Sequence, residues 1–554
     1  MNKKFITISV IAFASVLLLS FQQANEKYFE IAKNIDIFAT LFKEVNTYYV
    51  DEVNPTKIIK TGIDAMLESL DPYTNYISED DIEDYRTMTT GQYGGIGAVI
   101  GKKGTKNVIL MPYEGFPAHS TGLKIGDEIL SIDGKEMKDK NTNDISKLLK
   151  GQAGTKVKII ATRFGKKEPI TFDIVRQKIK IDNIPYVGMI NNEVGYFHLT
   201  DFTTNASKDV KDAIVKLKEL GAKKIIFDLR ENPGGLLNEA ISIANLFIPK
   251  DKEVVSTRGK VAEWNKSYYA QVAPLDIEIP LVVLTSDRSA SAAEIVSGVI
   301  QDYDRGILVG EKTFGKGLVQ QTRPLSYNAQ LKVTTAKYYI PSGRCIQAID
   351  YSKKKEDGSA TRIADSLRRE FKTKNGRSVY DGAGIYPDIT VPKTDLHPIT
   401  ISLINKNIIF DFATQYSYAH EKIAPAKDYK ISDADYAEFI KYLVDKDYDY
   451  KTKIESDLEA LTENSKKEKY FDGIKDQIEQ LKMKINHNKE SDLQKFRTEI
   501  AEVLESEIIS RYYLQKGMIE ASFDNDEDIK EALKIFKDET KYRSLLSGAQ
   551  ASNK

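Results

Sequence analysis

The sequence predicts a multidomain α/β protein, in which an α/β core follows a smaller α+β unit and helical regions occupy both ends of the chain. Its 554 residues suffice for about three to four domains. Within 181–397, apolar runs typical of buried strands alternate with amphipathic helices, which indicates a core with several parallel strands. From residue 398 to residue 554 the sequence becomes charged, poor in glycine and helical in pattern.

The first 24 residues have the composition of a targeting segment. Two lysines lie within Met1–Lys4, and no charged residue follows before Glu26. A basic start before an apolar run is typical of a secretory signal, and the run approaches the roughly 17–25 residues that can span a bilayer. We therefore expect a signal peptide or a membrane anchor, and a location in the bacterial periplasm or cell envelope. A buried N-terminal helix is the alternative.

Residues 25–88 are predicted to be helical, and residues 89–180 to form the α+β unit. A first helix carries an apolar stripe, and a second, 56–70, ends before Asp71-Pro72 because the position before a proline disfavours the helical conformation. A tight turn is expected at Asp133-Gly134 and a helix at 142–149. The stripe comprises Ile35, Phe38, Ala39, Phe42 and Val45, and the strands are expected at 96–100, 108–111, 128–132, 157–161 and 170–174.

Residues 181–397 supply the elements of the α/β core. We expect strands at 194–199, 224–229, 281–284 and 306–309, and helices at 206–220, 236–246 and 292–303. Residues 398–554 follow as a helical region, whose charged runs are typical of solvated helix faces.

Composition excludes several kinds of site. The 80 Lys and Arg residues balance 81 Asp and Glu, so the net charge of -1 creates no field that would attract nucleic acid. A single cysteine, Cys345, excludes intramolecular disulfides and any Cys-x-x-Cys metal or redox site. None of the five histidines has a short metal-ligand spacing to another. Chemistry that needs neither a metal nor a histidine is therefore favoured.

Two strand ends in the core carry residues suited to nucleophilic chemistry. The segment Asp228-Leu-Arg-Glu-Asn-Pro-Gly-Gly235 ends a strand in a glycine-rich turn. The N–H groups of such a turn can hold a negative oxygen, although a plain strand-to-helix connection also explains the pattern. The segment Ser289-Ala-Ser-Ala-Ala-Glu294 leads into a helix. Ser291 either caps this helix in a capping box with Glu294, or is a nucleophile beside the N–H group of Ala292.

A third segment, Gly310–Gln320, nearly matches the phosphate-binding pattern GxxxxGK[ST]. Gly317 replaces the required Ser or Thr, and a strand rather than a helix is expected after it. If the segment is a loop that enters a strand, Lys316, Leu318 and Gln320 lie on one face. A buried lysine is easily deprotonated and can act as a general base, which Gln320 could orient. A surface lysine on a hairpin is the alternative.

Together these segments resemble the carboxyl-terminal processing peptidases, or tail-specific proteases. The motifs occur in the order found in that family: Asp228-Leu-Arg-x-Asn-Pro-Gly-Gly235, Ser289-Ala-Ser-Ala-x-Glu294, Thr313-Phe-Gly-Lys-Gly-x-Val-Gln320 and Pro341-Ser-Gly-Arg344. The resemblance implies an α/β serine-peptidase core with Ser291 as the nucleophile, Lys316 as the base and Gln320 as its orienter. It also implies an oxyanion hole formed by the N–H group of Ala292 and that of Gly234 or Gly235.

The family places a PDZ domain before this core, here at 89–180. Tyr93-Gly-Gly-Ile-Gly97 looks like its carboxylate-binding loop, with Gly95, Ile96 and Gly97 as the peptide-binding residues. The implied recognition is strand addition, in which a C-terminal tail pairs with a strand edge and N–H groups of the loop hold its carboxylate.

The resemblance therefore implies an exported serine endopeptidase that recognises the C-terminal tails of proteins and cleaves by a Ser–Lys dyad through an acyl-enzyme. It implies no metal and no other cofactor, protein or peptide substrates with accessible C-terminal tails, and no nucleic acid. It is compatible with attachment to the inner membrane and with a homo-oligomer. A non-catalytic PDZ scaffold that binds C-termini in the envelope, and a nucleotide-dependent enzyme built on Gly310–Lys316, are the alternatives.

Overall fold

The computed structural model of the protein describes residues 28–355, 358–393, 395–485 and 489–548. The predicted targeting segment, 1–24, lies outside these residues. Among the residues described, no helix combines the length and the apolar character that crossing a bilayer requires.

The N-terminal region is helical, as predicted, but it also contributes one short strand to a sheet of the core. Asn54 caps the second helix, because its side chain accepts a hydrogen bond from the N–H group of Lys57. The turn Asp71–Thr74 then carries the chain into the first strand. The elements are α1 (28–48), α2 (Pro55–Glu68), β1 (Asn75–Ile77) and α3 (Ile82–Thr90).

The α+β unit contains the five predicted strands and the predicted helix, as well as three further short strands and a short helix. Asp133 and Gly134 both have positive φ angles, 48° and 77°, as the tight turn requires. The main sheet has the order β3-β4-β5-β7-β8, with β6 against β5, and β2 pairs with β9. The elements are β2 (Gln92–Gly95), β3 (Ala98–Lys103), β4 (Lys106–Pro112), α4 (Pro117–Ser120), β5 (Glu128–Ile132), β6 (Lys135–Glu136), α5 (Thr142–Leu149), β7 (Lys156–Thr162), β8 (Ile170–Val175) and β9 (Gln177–Lys180).

The core contains the predicted parallel sheet, of order β10-β11-β12-β15-β16-β23, in which only β10 is antiparallel to its neighbour. The carboxyl ends of β12, β15 and β16 therefore meet at one edge, where α/β proteins place their sites. The elements are β10 (Tyr186–Met189), β11 (Val194–His198), α6 (Ala206–Glu219), β12 (Lys224–Asp228), α7 (Leu237–Asn245), β13 (Glu253–Gly259), β14 (Lys266–Tyr269), β15 (Leu281–Thr285), α8 (Ala292–Asp302), β16 (Ile307–Gly310), β17 (Leu318–Pro324), β18 (Gln330–Tyr339), β19 (Ile349–Lys354), β20 (Ala360–Arg362), β21 (Glu370–Lys372), β22 (Ser378–Tyr380) and β23 (Ile389–Thr390).

A second, antiparallel sheet, which was not expected from the sequence, lies beside the first. Its central strand, β18, pairs with β17 along one edge and with β1 and β13 along the other, and β14 extends β13. Asn75 lies opposite Lys332 in this sheet, so the N-terminal region is paired directly with the core.

The C-terminal region is helical, as predicted, and its end completes the core. Alternate residues of the parallel strands point to opposite faces of the sheet. Phe227 and Val283 pack with α6–α8, whereas Ile226 and Val282 pack against Ile529 and Phe536 of α16, which covers the second face. The elements are α9 (Pro398–Asn405), α10 (Ile408–Ala419), α11 (Asp433–Tyr442), α12 (Lys453–Lys467), α13 (Phe471–Ile485), α14 (Lys489–Lys495), α15 (Arg497–Ser522), α16 (Glu527–Lys537) and α17 (Glu539–Ser547).

A partly buried ion cluster connects α16 to the loop after β12. The guanidinium of Arg230 donates to Asp228 at 2.7 Å and to Asp528 at 2.8 Å, and it also contacts Asp526. Although burial disfavours the charged carboxylate, Arg230 beside it lowers the pKa of Asp228 below its ordinary value. The cluster therefore joins the end of the chain to the glycine-rich turn that follows Arg230.

Candidate active site

The loops after β12 and β15 meet at Gly234 and Ser291. A Cβ atom placed on Gly234 would lie 2.8 Å from both the Cβ of Ser291 and the amide nitrogen of Ala292. Gly234 also has a φ of 98°, which L-residues with side chains rarely adopt. Glycine is required here because the two loops approach each other so closely.

Ser291 has an unusual backbone conformation. It immediately precedes α8, and its φ and ψ angles are 55° and -113°. An ordinary N-cap residue has β-region angles, so helix capping alone does not explain this geometry. Strained positive φ angles in residues other than glycine cost about 1–3 kcal/mol and cluster at functional sites. The conformation therefore favours the interpretation of Ser291 as a nucleophile.

Glu294 joins the two predicted catalytic loops. It is completely buried, and its Oε2 accepts hydrogen bonds from the N–H groups of Ser291 and Lys316, each at 2.8 Å. Its Oε1 accepts from the hydroxyl of Thr313 at 2.5 Å and from the N–H group of Gly315 at 2.7 Å. Burial raises the pKa of Glu294 to about 7, although these four donors favour the ionised form. Only the contact between Glu294 and Ser291, which belongs to a capping box, was predictable from the sequence.

Tyr338 joins the same two loops through their carbonyl groups. Its hydroxyl lies 3.0 Å from the carbonyl oxygen of Ser291 and 2.7 Å from that of Lys316. The side chain belongs to β18 and is buried. Ser291 and Lys316 are thus held together at their N–H groups by Glu294 and at their carbonyl groups by Tyr338. The sequence carried no local signal for this contact.

Lys316 lies in a partly desolvated position, as the sequence analysis proposed for a general base. Burial, and to a lesser extent the nearby charge of Lys332, lowers its pKa to about 8. Its Nζ lies 4.2 Å from the ring centroid of Tyr73. Gln320 instead donates from Nε2 to Oγ1 of Thr334, at 3.1 Å. Within the described part of the chain, no hydrogen bond joins Gln320 to Lys316.

The predicted oxyanion-hole residues differ in whether their N–H groups already donate a hydrogen bond within the protein. The N–H group of Gly234 donates to Oδ1 of Asn232 at 2.8 Å, so it is already used within the turn. Among the described residues, no acceptor is found for the N–H groups of Ala292 or Gly235. Of the two glycines, Gly235 is therefore the better candidate to donate to an oxyanion beside Ser291.

Comparison with known proteins assigns the chain to a family. A model of peptidase family S41 matches residues 193–353, a PDZ domain matches 108–163, and a probable PDZ-protease C-terminal helical domain matches 399–536. A carboxy-terminal-processing protease of Bartonella bacilliformis is 36% identical over 349 residues, which cover 62% of this chain and 80% of the relative. The chain belongs to peptidase family S41. It is a carboxy-terminal-processing serine protease with a PDZ domain.

Other proteins similar to this chain also carry the names of proteases. A probable CtpA-like serine protease of Staphylococcus aureus is 32% identical over 355 residues, which cover 62% of this chain and 70% of the relative. Among solved structures, a photosystem II D1 C-terminal processing protease is 25% identical, covers 64% of this chain and 92% of its own, and has a TM-score of 0.35.

The predicted carboxylate-binding loop of this protease lies between β2 and β3. Gly95 ends β2 opposite Gln177, while the carbonyl groups of Ile96 and Gly97 accept hydrogen bonds from other parts of the domain. Among the described residues, no acceptor is found for the N–H groups of Ile96 and Gly97. Gly97 has a φ of 75°, and a Cβ atom there would lie 2.6 Å from the Cβ of Phe116. The loop thus offers two N–H groups on a backbone that requires glycine.

Within the described ranges, one cluster of His, Asp and Glu could hold a metal ion. It consists of His420, Asp435 and Glu438 in the C-terminal helical region. The carboxylate of Asp435 already accepts hydrogen bonds from Ser432, which caps α11, and from Tyr416. Helix capping therefore explains the position of this carboxylate without a metal.

Proposed function

We propose that this protease cleaves peptide bonds with a Ser291–Lys316 dyad through an acyl-enzyme. The observation that carries the proposal is the shared attachment of both residues to Glu294, which fixes their backbones relative to each other and leaves both side chains available. The lowered pKa of Lys316 supports its role, because a general base must be neutral to accept a proton.

In the proposed reaction, the neutral Nζ of Lys316 accepts the hydroxyl proton of Ser291 while Oγ forms a bond to the carbonyl carbon of the substrate. The N–H groups of Ala292 and Gly235 donate to the oxyanion of the tetrahedral intermediate. Collapse of the intermediate breaks the C–N bond, and the leaving amine takes the proton from Lys316. Water then attacks the acyl-enzyme with Lys316 again as the base, and hydrolysis releases the product and restores Ser291.

The proposed substrates are proteins or peptides with accessible C-terminal tails. A tail would pair with a strand edge of the PDZ domain and place its carboxylate at the N–H groups of Ile96 and Gly97. This form of recognition relies on backbone groups and a terminal carboxylate, so it suits a chain with a net charge of only -1. The PDZ domain would then supply an unstructured segment to Ser291.

We further propose that the protein is exported to the bacterial periplasm or cell envelope, where its N-terminal segment is either cleaved or retained as an anchor. The composition of residues 1–24 supports this location. Fractionation of cells that express the full chain, followed by N-terminal sequencing of the product, tests it. A full-length protein in the soluble cytoplasmic fraction would contradict it.

The dyad is tested by cleavage of an unstructured protein that has a free C-terminus. Ser291→Ala and Lys316→Ala should each abolish cleavage while binding of the tail persists. Lys337→Ala is a matched control, because Lys337 is an exposed lysine in the same antiparallel sheet and should leave the rate unchanged. Full activity of either dyad variant would show that the dyad is wrong. Tail binding without cleavage by the unmodified protein would instead favour a scaffold.

A further inference from the structure

We infer that the turn Asp71–Thr74, between α2 and β1, is a positioning element of the catalytic centre. In this proposal Tyr73 holds the side chain of Lys316, and Asp71 holds Gln320 through Thr334. The inference rests on the proposed dyad. From the sequence alone, this turn was only the end of a helix, whereas in the fold it contacts Lys316 directly and Gln320 through Thr334.

Tyr73 contacts Lys316 through the face of its ring. The Nζ of Lys316 lies 4.2 Å from the ring centroid, well within the ~6 Å over which an ammonium is attracted to an aromatic face. The ring of Tyr73 is itself fixed, because it meets the ring of Tyr351 edge-on with a centroid distance of 6.0 Å. Tyr73 therefore offers a defined resting position for a side chain that has several rotatable bonds.

Asp71 reaches Gln320 through a short chain of hydrogen bonds. The Nε2 of Gln320 donates to Oγ1 of Thr334 at 3.1 Å, and this hydroxyl donates to Oδ1 of Asp71 at 3.2 Å. The same Oδ1 accepts from the N–H groups of Tyr73 and Thr74, each at 2.9 Å. Since Asp71 is buried and fixes the turn internally, the position of Gln320 depends on that of the turn.

Pairing between β1 and β18 keeps the turn in place. Asn75 lies opposite Lys332, and the N–H group of Thr334 donates to the hydroxyl of Thr74 at 3.2 Å. The N-terminal region thus takes part in the catalytic centre, although it precedes the PDZ domain in the chain. Separation of β1 from β18 would remove Tyr73 and Asp71 from the site together.

The ring should act on the pKa of Lys316 in a defined direction. An aromatic face favours the ammonium, so its removal should lower the pKa, provided that an apolar side chain of similar size keeps water out. Leucine meets this condition, and phenylalanine retains the ring. The titratable groups that face Lys316 or Tyr73 are Asp71 in the turn, Glu294 on α8, Lys332 and Tyr338 on β18, and Tyr351 on β19.

The test compares Tyr73→Leu with Tyr73→Phe in the full chain, by measuring kcat and KM for an unstructured peptide from pH 6 to pH 10. Tyr73→Phe should retain the midpoint of the pH profile and kcat within about twofold. Tyr73→Leu should lower kcat about tenfold at unchanged KM, and lower the midpoint by about 0.5–1 pH unit. The midpoint does not depend on the fraction of folded protein, so partial unfolding cannot produce this result.

A second pair of variants tests the contact with Gln320. Thr334→Val, which removes the hydroxyl at nearly constant volume, should lower kcat about tenfold without moving the midpoint, and Thr334→Ser should restore the rate. A wild-type profile for Tyr73→Leu, or equal losses for Tyr73→Leu and Tyr73→Phe, would overturn the role of the ring. A wild-type rate for Thr334→Val would overturn the role of Asp71. An active Lys316→Ala variant would instead overturn the dyad. Failure of the positioning role of the turn can therefore be distinguished from failure of the dyad.

Discussion

The N–H groups of Ser291 and Lys316 donate to the same carboxylate oxygen of Glu294, each at 2.8 Å. These residues end two loops that leave neighbouring parallel strands, β15 and β16. A buried carboxylate between the loops fixes their separation through backbone groups alone. Both side chains consequently remain available for chemistry, which is the arrangement that a nucleophile and its base require.

Replacing Glu294 with glutamine should impair both stability and catalysis. An amide offers one acceptor oxygen, so its NH2 group would face donors that now point at the carboxylate. We expect a loss of about 2–4 kcal/mol in the free energy of unfolding and a fall in kcat of about 100-fold or more. Urea unfolding and steady-state kinetics measure the two effects. Glu231→Gln is the control: because Glu231 is exposed, this substitution should change neither the free energy of unfolding nor kcat. A wild-type kcat for Glu294→Gln would contradict the role of Glu294.

The rate should rise with pH through a midpoint of about 8. Burial and the charge of Lys332 lower the pKa of Lys316 to about 8, and the neutral, active amine accumulates above that pH. Lys332→Met removes a like charge, so the pKa of Lys316 and the midpoint of kcat/KM should rise, by about 0.3–1 pH unit. Lys337→Met, which changes an exposed lysine on the same strand, should leave the midpoint in place. A profile that is flat from pH 6 to pH 9 would exclude Lys316 as the base.

Replacing Arg230 with methionine should destabilise the core, because it leaves Asp228 as a buried charge without its partner. The expected loss is about 3–5 kcal/mol in the free energy of unfolding at neutral pH. Since the pKa of Asp228 is lowered in the folded protein, this pair stabilises the protein above the ordinary carboxylate range, and the contribution is lost as the pH falls through the folded pKa. The difference between wild type and variant should therefore narrow in acid.

Urea unfolding at neutral pH and in acid measures the effect of Arg230→Met. Asp526→Asn is its matched control, because it preserves the contact between Arg230 and Asp228 and should cost only about 1 kcal/mol. Equal free energies of unfolding for wild type and Arg230→Met at neutral pH would show that the cluster contributes nothing.

Replacing Gly97 with alanine should weaken binding of C-terminal tails. The new Cβ would lie 2.6 Å from the Cβ of Phe116, on a backbone with a φ of 75°, so the loop must move. We expect at least a roughly tenfold loss of affinity for a labelled peptide with a free carboxylate, measured by fluorescence anisotropy. Gly104→Ala is the control, because Gly104 also has a positive φ but open space around it. Unchanged affinity in Gly97→Ala would place the carboxylate elsewhere.

Elements that depend on local patterns were predictable from the sequence. The helix expected at 142–149 occurs as α5 with those bounds, and the turn at Asp133-Gly134 has the angles that the pair favours. The buried runs of β12 and β15 indicated a parallel sheet, because their apolar residues are continuous rather than alternating. In each case the signal lies within one short segment.

Contacts between distant segments were not predictable in this way. The strand β1 has three residues and no periodicity, and its partner in β18 lies more than 200 residues away. The hydrogen bond from Gln320 to Thr334 depends on the register of β17 and β18, which places Gln320 opposite Thr334. The helical pattern of residues 398–554 did not identify the sheet that α16 covers, because a local pattern does not name the packing partner.

The proposed acyl-enzyme on Ser291 can be observed directly. The protein is mixed rapidly with an activated ester or peptide substrate, quenched in acid and digested. Mass spectrometry of the digest then identifies the site of acylation. We expect an added acyl mass on the peptide that contains Ser291, and we expect no such mass in Ser291→Ala or Lys316→Ala. Turnover by the wild-type protein with the acyl group on another residue, such as Cys345, would contradict it.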